Sequence, residues 1–123
     1  MNRPVIGVCV MVHSARYGPW DQDVAMVPGR LVTAIQEQGW LPLLVTPDRS
    51  LADEPEDVLR LLDGLIVPDW AARSRPAAET LAEAAEGRGL PVVRLGEGPD
   101  ATVADYSRAI AKLFTRDARV PQA

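Results

Sequence analysis

Nine consecutive residues near the start, Pro4-Val-Ile-Gly-Val-Cys-Val-Met-Val12, include no polar side chain. This stretch restricts the fold more than any other. A strand with one solvated face alternates apolar and polar residues, whereas a run that is apolar on both faces needs cover on both, as at the centre of a parallel sheet. Parallel neighbours are joined by crossovers of a dozen or more residues, usually helices. The run is too short for a spanning helix, and no charged leader or small-residue cleavage site frames it as a secretion signal, so a cytoplasmic location is expected.

The rest of the chain supplies the expected partners. Residues 40–46, 65–67 and 90–95 read as the second, third and fourth strands, and Pro42 places the second at a border of the sheet because proline cannot donate to a ladder. Residues 30–38 form a helix with Leu31, Ala34 and Ile35 inward and Gly39 as its stop. Before it, Asp23 is expected to cap a helical stretch that Pro28 and Gly29 interrupt. A further helix over 51–62 buries Val58, Leu59, Leu61 and Leu62; another runs from Pro76 to about Arg88. Thr102 and Asp105 cap the last helix, whose inner stripe is Ile110, Leu113 and Phe114. The expected architecture is a flavodoxin-like three-layer α/β/α fold, four parallel strands in the order 2-1-3-4, as a single domain over 1–115 with a flexible tail at 116–123. Its topological switch lies between the first and third strands, where ligands bind in open α/β sheets.

Two loops are therefore expected to flank one crevice. The first is the polar and aromatic segment His13-Ser-Ala-Arg-Tyr-Gly-Pro-Trp-Asp21-Gln22, and the second follows the third strand at Pro68-Asp69-Trp70. Candidate ligand-binding residues are His13, Arg16, Tyr17, Trp20, Asp21, Asp69, Trp70 and Arg94. The aromatics would supply apolar walls, the arginines would hold a carboxylate, and Asp21 would orient His13 or bind an amine. Cys9, in mid-strand, reads as core packing. With 17 acidic and 13 basic residues and a net charge of -4, the chain lacks the basic face that nucleic acid or an anionic membrane requires. One cysteine and one histidine give no spaced set of metal ligands, and no Gly-x-Gly-x-x-Gly follows the first strand, so neither metal nor cofactor is expected.

Arg3-Pro-Val-Ile-Gly-Val, Ala15-Arg-Tyr-Gly-Pro-Trp-Asp-Gln, Gln38-Gly-Trp-Leu-Pro-Leu-Leu, Leu62-Asp-Gly-Leu-Ile-Val and Arg88-Gly-Leu-Pro-Val-Val follow one another over roughly the first four fifths of the chain. In that order and spacing they resemble class I glutamine amidotransferase-like proteins, in particular the gamma-glutamyl-gamma-aminobutyrate hydrolase branch. The resemblance implies a strand-to-helix elbow carrying a cysteine nucleophile in a Gly-x-Cys-x-Gly setting, with a His and a Glu further on. This chain has Gly96, Glu97 and Gly98 at that place, and Pro68-Asp69-Trp70 where the family has a glycine-rich turn after the third strand. The downstream His and Glu have no counterpart, and the chain reads as a shortened relative.

These departures lead to the expectation of a noncatalytic protein, a pseudoenzyme, that binds a small ligand or a protein partner in the strand-end crevice. An alternative is repurposed acid-base chemistry using His13, Asp21, Asp69 or Glu97. A third is an accessory subunit of a larger enzyme. Strands missing beyond the fourth would leave an open edge, so a homo-oligomer, most simply a dimer, is expected.

Overall fold

The computed structural model describes residues 2–98 and 100–114; the tail expected at 116–123 lies outside them. Its centre is the expected parallel sheet. Strand β1 (Val5–Cys9) lies between β4 (Leu41–Val45) and β5 (Gly64–Pro68), and β6 (Val92–Leu95) pairs with the far side of β5. The order β4-β1-β5-β6 becomes 2-1-3-4 when these four strands are numbered alone. The labels differ because two further strands, β2 (Met11–Tyr17) and β3 (Trp20–Met26), intervene as a separate antiparallel pair.

That hairpin replaces the expected loop and splits the expected nine-residue first strand. Pairing runs from Met11 opposite Met26 out to Tyr17 opposite Trp20. Gly18 turns the chain with φ +58° and Pro19 follows with its fixed negative φ, the combination that favours a tight type II′ hairpin turn. Asp23 is a β3 residue that accepts a hydrogen bond from Ser14 Oγ across the ladder at 2.9 Å, and it caps no helix.

Helices cover both faces of the sheet. On one, α1 (Gly29–Glu37) and α6 (Val103–Ile110), with the 3₁₀ turn Ala111–Phe114, pack on Ile6, Val8, Ile66 and Leu95. Trp40 and Phe114 meet there edge to face, ring centres 4.9 Å apart. On the other, α3 (Glu56–Leu59), α4 (Asp69–Ser74) and α5 (Pro76–Gly87) pack on Cys9, Val45, Leu65 and Val67. The expected helix over 51–62 is broken into α2 (Arg49–Asp53) and α3, because Pro55 has no N–H to continue the ladder and pushes Glu54 out of the helical region. The break resets the helical phase, which leaves Leu61 55% exposed rather than in the core.

Three motifs noted in the sequence have structural roles. Gly39 and Gly89, at φ +84° and +85°, end α1 and α5 in the same way: each donates to the carbonyl three residues back, and the next residue donates to the carbonyl five residues back. This is the Schellman arrangement, and it leads directly into β4 and β6. The Asp63 carboxylate accepts from Val5 N at 2.8 Å, while Asp63 N donates to Val5 O at 2.7 Å, so Leu-Asp-Gly joins the entries of β5 and β1. Thr102 and Asp105 form the expected reciprocal cap of α6.

Candidate functional site

The carboxyl ends of β1 and β5 mark the topological switch, and a hairpin and a helix, rather than the two expected loops, follow them among the described residues. The hairpin rises directly from β1, α4 begins at the end of β5, and the two pack together. Because neighbouring residues on a strand face opposite ways, the hairpin root divides the carboxyl edge into two cavities. Met11, His13 and Met26 face one of them, and Val12 faces the other.

The first cavity, about 460 Å³, lies between the hairpin root and the start of α1, with Val27, Pro28, Gly29 and Arg30 completing its lining. Its walls are mainly apolar. Among the described residues its basic side chains are His13 and Arg30, and no acidic residue lines it. Arg30 Nη1 reaches the Asp100 carbonyl at 3.5 Å, a long contact to a neutral group, and has no carboxylate partner among the described residues. Pro28 precedes α1 without a side-chain cap, and the first turn has no acid, so nothing there offsets the positive end of the helix.

Only His13 of the expected ligand-binding residues enters this cavity. Arg16 and Asp21 pair across the hairpin at 3.4 Å, both largely in solvent, so Asp21 does not orient His13. Tyr17 and Trp20 flank the turn, 80% and 57% exposed, on the same side of the ladder as His13 but at its tip. Asp69 is the first residue of α4 and pairs with Arg73 at 3.7 Å. Trp70 faces the core beneath α4, 8% exposed, and its Nε1 has no hydrogen-bond partner. It forms no ligand wall. Arg94 is held by Glu86 through two bonds of 2.9 and 3.0 Å and by Glu79 at 2.8 Å, which occupies the fork a carboxylate ligand would need. These bonds hold the Glu86 carboxyl below its ordinary pKa and push the guanidinium upward.

The expected elbow also differs. Between β6 and α6 the described residues, 96–98 and 100–102, make no tight strand-to-helix turn, and neither Gly96 nor Gly98 has a left-handed backbone. Tyr106 Oη donates to the Gly98 carbonyl at 2.7 Å and ties this connection to α6. Glu97 lines a separate cavity of about 360 Å³ with Asp105, Arg108 and Lys112, away from His13. Cys9 is fully buried, and desolvation pushes its thiol from 9.0 up to about 12, so it is a packing residue rather than a nucleophile.

The lining residues overlooked in the sequence are Met11, Met26, Val27, Pro28 and Arg30. A signal for them existed: Val24 and Met26 lie two apart before Pro28-Gly29, which is compatible with a strand returning to a helix start. No protein-family model matches the chain, and no curated protein matches it either.

Proposed function

We propose that this chain is a noncatalytic, glutamine amidotransferase-like binding protein whose ligand is a small amphiphilic carboxylate held at the hairpin root. The observation that carries this reading is the cavity of about 460 Å³ in which His13 and Arg30 stand on apolar walls with no acid among the lining residues. A carboxylate would accept from Arg30 and His13, and its apolar part would lie against Met11, Met26 and Val27. Among the described residues no serine, threonine or cysteine lines the cavity, and none of Asp21, Asp69 and Glu97 lies in its wall, which favours binding over the acid-base alternative.

The test is thermal unfolding with a panel of small carboxylates that includes gamma-glutamyl compounds. A ligand present at 100 times its Kd adds about 2.7 kcal/mol of stability. We expect a rise in Tm that His13→Ala and Arg30→Ala each reduce while leaving the unliganded Tm near wild type. A shift retained in both variants, or none with any compound, would refute the reading.

We further propose self-association through β4 rather than beyond β6. Leu41, Leu43 and Leu44 on this edge strand are 40%, 36% and 48% exposed, and residues 41–47 carry no charge to block edge pairing. Leu41 N donates to Pro4 O and Val45 O accepts from Val10 N, so alternation turns the backbone of Pro42 and Leu44 outward. An antiparallel copy with Leu44 opposite Leu44 would use Leu44 fully and place the missing Pro42 N–H at the margin. Light scattering should give a dimer that Leu44→Lys converts to a monomer; a wild-type monomer at micromolar concentration would remove this proposal.

A further inference from the structure

The second cavity, on the Val12 side of the hairpin root, is larger, about 620 Å³, and lies between the start of α2 and the α4–α5 junction. Two arginines reach it from separate elements: Arg49 opens α2, and Arg75 stands between α4 and α5. Neither has a carboxylate partner among the described residues, whereas Arg16, Arg73, Arg88, Arg94 and Arg108 all do. In a chain with 17 acids and 13 bases, two unpaired guanidiniums on one cavity leave a local positive charge against the overall sign. Arg75 is half-buried and oriented, its Nη1 donating to the Pro47 carbonyl at 3.4 Å, and the rest of its fork has no partner among the described residues. The one carboxylate in the lining, Asp48, accepts from Leu51 N at 2.8 Å as the cap of α2.

We propose that this cavity binds a small phosphomonoester, with the phosphate taken by Arg49 and Arg75 and the organic part against Val12, Pro47 and Ala52. Two guanidiniums bring two positive charges to the cavity, which a phosphate dianion balances and a single carboxylate does not, and its three terminal oxygens can be shared between both forks. The volume is in the range of small-molecule sites and exceeds what inorganic phosphate fills, which calls for an ester. A hydroxyl on the organic part finds an acceptor in Asp48. This site shares no lining residue with the cavity at His13 and Arg30 and is independent of the function proposed above.

The experiment is calorimetric titration of the full chain with glycerol 3-phosphate, inorganic phosphate and glycerol at constant ionic strength, repeated on Arg49→Gln, Arg75→Gln and Arg30→Ala. Glycerol 3-phosphate should bind more tightly than inorganic phosphate, and glycerol should give no heat. Each of Arg49→Gln and Arg75→Gln should weaken the ester about tenfold or more, the loss expected for a charge-assisted contact. Arg30→Ala should leave it unchanged. The Arg49 side chain is exposed and has no hydrogen-bond or carboxylate partner among the described residues, so Arg49→Gln keeps the fold and decides the matter even if Arg75→Gln is unstable. No binding of glycerol 3-phosphate at millimolar concentration, or an unchanged Kd in Arg49→Gln, would overturn the proposal.

Discussion

Replacing Gly64 by alanine tests how closely the last helical segment is seated on the sheet. Gly64 opens β5, and a Cβ there would stand 2.9 Å from Leu113 Cδ2 and 3.1 and 3.2 Å from ring atoms of Phe114. Carbon atoms prefer separations of roughly 3.5–4.0 Å, so one or both neighbours must retreat by about half an ångström or more. Phe114 is 4% exposed and held against Trp40, so it has little room to move. Overpacking of this kind costs about 1–3 kcal/mol, offset by about 0.4–1 kcal/mol because alanine restricts the unfolded chain more than glycine does. The offset applies because Gly64 does not have a positive φ. The expected net loss is about 1.5 kcal/mol, or roughly 5 °C in Tm for a domain of this size. Urea unfolding followed by tryptophan fluorescence and by circular dichroism should show it as a lower midpoint with an unchanged slope. Phe114→Leu in the Gly64→Ala background should recover part of the loss, with a coupling of about 1 kcal/mol. Wild-type stability in Gly64→Ala, or strict additivity of the two changes, would refute the close seating.

Other outcomes follow from individual residues. Cys9 should resist thiol reagents in the native protein and react only at the rate of unfolding. Its raised pKa stabilises the fold fully below the ordinary thiol value, and this contribution should fade as pH rises from about 9 to about 12. Tyr106 is also raised, chiefly by desolvation, so its contribution is present below pH ~10 and declines above it. Tyr106→Phe should lose about 1 kcal/mol at neutral pH by removing the bond to the Gly98 carbonyl, and should show a shallower alkaline decline than wild type. Arg94→Gln should lose no more than about 1 kcal/mol, and less at high salt, because Glu79 and Glu86 are partly in solvent.

Much of the fold was legible because it rests on short-range patterns. The apolar run Pro4–Val12, whose Val5–Cys9 part is the central strand, the stops at Gly39 and Gly89, Pro42 on an edge and the Thr102–Asp105 cap each specify their own geometry, and all four agree with one sheet order. The hairpin was not legible as such because its outer half carries Arg16, Asp21, Gln22 and Asp23, which reads as loop until the cross-strand register is known. The site suffered for the same reason. Trp70 looked like a crevice wall, but Asp69 starts a helix that turns the indole into the core; Arg94 looked available, but α5 brings two glutamates to it. Proximity in space decided these residues, and of the expected ligand-binding residues His13 alone lines the cavity at the hairpin root.

The most direct test of the binding account is one NMR titration of the labelled protein with a gamma-glutamyl compound, following backbone amides and the integrity of the compound in the same tube. The account predicts shifts concentrated at Met11, His13, Met26 and Arg30 with the compound intact after many hours. Shifts absent from those residues, or hydrolysis of the compound, would contradict it.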